Sequence, residues 1–186
     1  MKSLVDLTLS RLSTPIPSPM PAPLFYTGNF THKKVLFLSY RKNSGRLSSM
    51  NFKDRETFLF RKLQGIPKEE FYEKLMELGK SLPPFPLHLK SEENRVVGCQ
   101  SLMYCDVCVE NGLVKIALDS DALISKGLAS LVYHLYNGLT AREILTSPPR
   151  IFEELDLISS LSMTRLNGLQ SLLRYVFKKI LALEKM

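Results

Sequence analysis

The chain has no tryptophan, only three cysteines and only three histidines among its 186 residues. Three thiols are too few for a disulfide framework, and a chain of this length can bury a core without such staples. Three histidines leave little material for a zinc centre. No run reaches eighteen apolar residues, which excludes a membrane-spanning helix from the reading. There is no glycine-rich phosphate loop and no long series of buried parallel strands, which argues against nucleotide chemistry. Acidic residues are scarce at one end: residues 1–50 contain Asp6 alone against seven Lys and Arg. The formal charge of +7 therefore sits almost entirely on the first fifty residues, and residues 51–186 are nearly neutral. A nucleic-acid reader needs its positive charge on the folded part, so no nucleic-acid partner is expected for the body.

Five of the eleven prolines lie between Pro15 and Pro23. That run lacks amide donors and restrains the residue before each proline, so it reads as an extended spacer. Residues 1–50 are expected to be a basic, Pro- and Ser-rich tail, largely disordered, ahead of a domain over residues 51–186. The tail has no continuous apolar core with a small-residue cleavage site, so it does not read as a secretory signal. Its composition also suits an organelle transit peptide, which leaves the cytoplasm as the expected location and an organelle stroma as the alternative. Val35 to Tyr40 reads as a short strand added to a sheet edge or a segment docked on the body.

In the body, Phe58, Phe60 and Leu63 suggest a short amphipathic helix before Gly65. Phe71, Leu75 and Leu78 mark a second helix opened by Pro67 and stopped at Gly79 or the Pro83-Pro84 pair. Two apolar runs, Leu102 to Val109 and Leu113 to Leu118, flank Asn111-Gly112, a strong hairpin signal. Asp119, Ser120 and Asp121 are expected to supply caps and first-turn acids for a helix from Ala122 to Asn137, closed by Gly138. Thr140 to Glu143 reads as a capping box, and Ser162 as the cap of a last helix striped by Leu166, Leu169, Leu173, Val176, Phe177 and Ile180. The fold class is α+β, with a small antiparallel sheet packed against helices.

The cysteines divide by position. Cys105 and Cys108 share a two-residue gap, but on a strand they face opposite ways and cannot easily hold one ion. Each reads best as a small buried hydrophobe. Cys99 follows Gly98 in a loop, where backbone amides can stabilise a thiolate and Arg95 can lower its pKa. No local His or acid stands as its base, so sulfur or thiol exchange suits it better than acyl transfer. His134 reads as a helix-face residue, not a base.

Four segments carry a resemblance. They are Arg95-Val96-Val97-Gly98-Cys99-Gln100-Ser101, Asp119 to Gly127, Leu135-Tyr136 with Gly138-Leu139-Thr140, and Thr164-Arg165-Leu166-Asn167-Gly168-Leu169. In this order and spacing, from about residue 56 onward, the chain resembles the SufE family of sulfur acceptors. The resemblance implies an α+β fold related to iron–sulfur scaffold proteins, with Cys99 at a loop tip as the persulfide acceptor. It implies a cysteine desulfurase partner of the SufS type, whose turnover the protein stimulates, and an iron–sulfur assembly scaffold that receives the sulfur. It implies no cofactor of the protein's own, since pyridoxal phosphate belongs to the desulfurase. Asp121 and Arg165 match positions near the loop or partner surface. Arg95, Gly98, Gln100 and Lys126 are the further supporting or docking candidates. The family commonly has Trp where this chain has Tyr104, and Cys105, Asp106 and Cys108 replace residues that are usually apolar or basic. A homodimer is left open. The rival readings are an iron–sulfur or metal-binding scaffold and a basic-tailed regulatory or nucleic-acid-binding protein.

Overall fold

The computed structural model describes residues 47, 49–155 and 161–185, so the reading of Val35 to Tyr40 and nearly all of the tail lies outside the described residues. Helix α1 spans Phe52–Leu63 and α2 Lys68–Lys80, followed by two single 3₁₀ turns, Leu87–Leu89 and Glu92–Asn94. Strands β1 (Met103–Glu110) and β2 (Leu113–Ser120) form an antiparallel hairpin. Helices α3 (Leu123–Tyr136), α4 (Ala141–Thr146), α5 (Ile151–Glu154) and α6 (Met163–Glu184) complete the described chain. This is the α+β architecture expected, and α1 contains Phe58, Phe60 and Leu63 and reaches back to Phe52.

The hairpin turn forms where Asn-Gly stands, with Asn111 at φ 52° and Gly112 at φ 76°, the paired positive φ values that a two-residue turn needs. Register Cys105↔Leu118 and Val107↔Ile116 puts one face inward. Met103, Cys105, Val107, Val114, Ile116 and Leu118 are all buried there, against α3 and α6. Cys108 stands on the other face and is half-buried, so period-two alternation separates it from Cys105. Backbone bonds extend the sheet on both sides. Gly138 donates to the Val114 carbonyl at 2.7 Å and Val114 to the Leu139 carbonyl at 2.8 Å. On the β1 side, Arg95 forms an isolated antiparallel bridge with Tyr104, and Val96 donates to the Met103 carbonyl at 2.8 Å.

Several helix ends differ from expectation. Helix α2 runs through Gly79 to Lys80 because Gly79 is a packing residue, facing the Gly127 backbone of α3. Thr140 Oγ1 accepts from the Glu143 amide at 3.2 Å, but the Glu143 carboxylate does not close a capping box. It accepts from the Phe52 amide at 2.9 Å and ties α4 to the start of α1. Ser162 occupies the N-cap of α6, yet its hydroxyl bonds Thr164 Oγ1 at 3.0 Å instead of a backbone amide.

Two buried polar groups lie on the α1–α3 seam. Arg55, only 1 % exposed, donates to the carbonyls of Met50 (2.9 Å) and Asn137 (2.7 Å), clamping the end of α3. His134 rests edge-on against Tyr133, and its Nε2 is enclosed without a hydrogen-bond partner among the described residues. Burial, with Lys62 and Arg55 nearby, pushes its pKa down from 6.5 to about 4. The neutral form is the folded form, so the unfolded chain takes up the proton first as pH falls. Stability is therefore lost from pH 6.5 downward through about 4, by about 3 kcal/mol in all. His134→Gln is expected to flatten the urea-unfolding free energy over that window; an unchanged slope would refute the assignment.

Candidate functional site: the Cys99 loop and its cavity

The six residues from Val97 to Leu102 form a loop whose ends are pinned together. Val96 is buried and bonded to Met103 below the loop, and Asp121 donates its amide to the Leu102 carbonyl at 3.2 Å. Gly98 turns the chain at φ 95°, a conformation that L side chains rarely adopt. Cys99 is thereby carried to the mouth of a cavity of about 420 Å³. Its floor and walls include Met103 from β1, Ser125 and Leu128 from α3, and Arg165, Gly168 and Leu172 from α6.

The Cys99 thiol donates to the Gly168 carbonyl at 3.4 Å and lies 3.8 Å from Met103 Sδ. It is half-buried, and burial pushes its pKa up. The expectation that Arg95 would activate it is corrected. Arg95 is exposed and pairs with Glu92 Oε1 at 3.2 Å, because the single 3₁₀ turn Glu92–Asn94 brings Arg95, the residue that follows it, back beside Glu92. Burial thus favours the protonated thiol over the thiolate.

Of the other candidates, Gln100, Asp121 and Arg165 share the cavity wall with Cys99. Asp121 is not a first-turn acid: Ala122 is the N-cap of α3, which has no acid in its first turn and no side-chain cap. Asp119 is not a cap either. It lies on β2 and pairs with Lys90 at 2.6 Å and Lys126 at 2.7 Å. Burial alone would raise the Asp119 pKa, but the hydrogen bonds from Lys126 and Lys90 hold it below its ordinary range. Lys126 is thus committed to that ion pair and stands off the cavity wall. Arg165 reaches across to α2, with its guanidinium 5.6 Å from the Tyr72 ring centroid, a cation–π distance.

Sequence reasoning missed a cluster of serine hydroxyls at the cavity and the methionine sulfur against the thiol. Ser101 and Ser125 bond each other at 3.1 Å, Ser120 reaches Ser101 at 3.4 Å, and Met103 meets Cys99. Only the Gly-Cys-Gln-Ser string hinted at Ser101, and nothing local marked Ser125. The first turns of α3 and α6 both open on the cavity and neither carries an acid. The positive ends of the two helix dipoles favour negative charge there. Outside the mouth, Val97 (84 % exposed), Leu102, Leu123 and Met163 (67 % exposed) are large exposed apolar side chains. Each lies within two residues of a cavity-lining residue. Among the described residues no three His, Cys, Asp or Glu side chains gather as a metal-ligand set, and no described helix is long and apolar enough to cross a membrane.

A helical shell on a hairpin, with one loop cysteine at a cavity mouth, defines a class of small α+β domain built around a single thiol. The model of the SufE family, the Fe-S metabolism associated domain, matches residues 59–180. The chain belongs to that family, and so to the proteins of iron–sulfur metabolism. An uncharacterized SufE-like protein of Synechocystis is 36 % identical over 118 residues, which cover 63 % of this chain and 74 % of the relative. The solution structure of a hypothetical protein from Thermus thermophilus superposes with a TM-score of 0.61 at 23 % identity. That match covers 71 % of this chain and 97 % of the other, and supports the fold.

Proposed function

We propose that this protein is a sulfur carrier that accepts a sulfane sulfur on Cys99 from a cysteine desulfurase and delivers it to an iron–sulfur assembly scaffold. The observation that carries the reading is the placing of Cys99 at the mouth of its cavity, on a loop held at both ends. The Cys99 thiolate attacks the outer sulfur of a persulfide on the desulfurase. A new S–S bond forms at Cys99, the old one breaks, and the desulfurase cysteine leaves as a thiolate. The pyridoxal phosphate that releases sulfur from free cysteine stays with the desulfurase. By unloading that enzyme the carrier raises its turnover, so it acts as a partner and not as a stand-alone enzyme.

Three further features support this reading. The exposed Val97, Leu102, Leu123 and Met163 suit docking against an apolar protein surface. The N-terminal ends of α3 and α6 and Arg165 favour an anionic persulfide in the cavity, against the single opposing charge of Asp121. A reducing compartment, cytoplasm or organelle stroma, keeps such a thiol usable.

The test is to incubate the protein with a SufS-type desulfurase and cysteine, then map the product by peptide mass. A gain of one sulfur, about 32 Da, on the Cys99 peptide is expected. Sulfur on the Cys105 or Cys108 peptide instead, or none at all with an active desulfurase, would overturn the proposal.

A further inference from the structure

The cavity beside Cys99 holds one charge of each sign, Asp121 and Arg165. Neither side chain forms an ion pair or a hydrogen bond among the described residues, with the other or with any third group. The other charges near the loop are committed: Lys90 and Lys126 to Asp119, Arg95 to Glu92, and Arg174 to the Ser171 hydroxyl.

Local structure gives neither charge a task. An acid ahead of a helix ordinarily caps it. Here Ser120 Oγ accepts from the Ala122 amide at 3.4 Å, and the Asp121 carboxylate is left over. Its backbone is fixed, because the Asp121 amide donates to the Leu102 carbonyl and sets the residue beside the Cys99 loop. Arg165 lies in the first turn of α6, the positive end of the helix dipole, where a cation is unfavourable. The Tyr72 ring steadies its guanidinium, and a guanidinium stacked on a ring keeps its in-plane N–H donors. Asp121 also works against an anionic persulfide, so the sulfur-carrier reading alone does not explain it.

Two unpaired opposite charges in one cavity suit a ligand that brings both signs itself. An amino acid does so, with its ammonium toward Asp121 and its carboxylate toward Arg165. Ser125, Ser162 and Thr164 add hydroxyls to the same lining, and Gln100 adds an amide. The volume of about 420 Å³ lies at the small end of ligand pockets. Cys99 lines this space too, so a bound amino acid that carries a thiol stands next to the sulfur. That amino acid is cysteine.

We propose that the cavity is a binding site for free cysteine, and that bound cysteine takes the sulfane sulfur from a Cys99 persulfide. The cysteine S–H first gives its proton to solvent. Its thiolate attacks the outer sulfur, a new S–S bond forms, the bond from Cys99 to that sulfur breaks, and Cys99 leaves as a thiolate. The outer sulfur crosses with its own proton, so the product is cysteine persulfide and no oxidant or reductant is consumed. The carrier thereby has a small-molecule outlet besides a protein scaffold. The transfer step rests on the sulfur-carrier reading, which the desulfurase assay tests separately; the binding site does not.

The experiment has two arms, both on the full chain and without desulfurase, so docking of that enzyme cannot contribute. In the first, L-serine, the same zwitterion without a thiol, is titrated against amide NMR signals. Saturable shifts centred on Gln100, Ser125 and Gly168 are expected, with affinity about tenfold weaker in Asp121→Asn and in Arg165→Gln. In the second, Cys99 is loaded with inorganic polysulfide, and loss of the added sulfur from its peptide is timed with four thiols at equal thiolate concentration. L-Cysteine is expected to saturate and to discharge the sulfur at least about tenfold faster than β-mercaptoethanol. Cysteamine, which lacks the carboxylate, and mercaptopropionate, which lacks the ammonium, should fall between. Asp121→Asn is expected to erase the advantage of cysteine over mercaptopropionate, and Arg165→Gln its advantage over cysteamine. Should a variant fail to fold, L-serine and the four thiols decide the matter on the unmodified chain. Absence of a saturable shift with L-serine would overturn the site. Equal rates for the four thiols, or variants that slow all four alike, would overturn the transfer.

Discussion

Cys99→Ser is expected to lose sulfur uptake entirely while keeping its fold. A serine hydroxyl stays protonated at any pH the protein survives, and its oxygen is a poor nucleophile toward a persulfide sulfur, so the displacement has no attacking group. The structural consequences are small because serine preserves the features that position the loop. Its O–H replaces S–H as donor to the Gly168 carbonyl, Gly98 keeps its positive φ, and the bond from Val96 to Met103 is untouched. The change in unfolding free energy should stay within about 1 kcal/mol, as for most small substitutions outside a fully packed core. Intact-mass analysis after exposure to desulfurase and cysteine checks the first part, and a urea titration the second. Transfer at the normal extent by Cys99→Ser would remove Cys99 from the reaction.

Gly127→Ala is expected to be the most damaging of the small substitutions away from the thiol. A Cβ at Gly127 would lie 2.4 Å from the Leu75 carbonyl oxygen and 2.6 Å from its carbon. Facing it, a Cβ at Gly79 would lie 2.9 Å from the Gly127 amide nitrogen. These are backbone atoms of packed helices, so no rotamer change relieves the overlap and α2 must move away from α3. Alanine gains about 1 kcal/mol of helix propensity over glycine. The overlap costs about 3 kcal/mol in overpacking, so the steric effect wins. A comparison isolates that cause. Gly65→Ala, at φ 69° with nothing within 4 Å, meets only backbone strain of about 1 kcal/mol. If Gly127→Ala unfolds at no lower urea concentration than Gly65→Ala, the close helix contact is not what holds α2 to α3. The loss should also reach the site, because α3 supplies Ser125, Leu128 and Ala129 to the Cys99 cavity.

Local conformation was legible in the chain. Asn111-Gly112 announced its turn because few residues adopt two successive positive φ values, and the 3.6-residue stripe of α6 announced its buried face. The string around Cys99 and the Thr164–Leu169 segment were legible as a family pattern before any coordinate. What could not be read were partners distant in sequence. Asp121 looked like a helix-capping acid because it precedes a helix, but the helix begins two residues later, and its side chain lines the cavity. Arg95 looked like an activator of Cys99 by nearness in sequence, and the 3₁₀ turn gave it Glu92 instead. Gly79 looked like a helix stop, and Gly127 made it a contact.

The scarcity of cysteine, histidine and tryptophan already left one loop thiol as the place for chemistry, since there was little else to carry it. The sequence by itself thus singled out the candidate residue and determined where the chain turns and to which family it belongs, because those depend on residue type and short-range backbone preference. Only the tertiary structure decided the state of that thiol. Burial favours its protonated form, and its contacts are a carbonyl acceptor 69 residues away on α6 and the sulfur of Met103; all depend on packing between segments far apart in the chain.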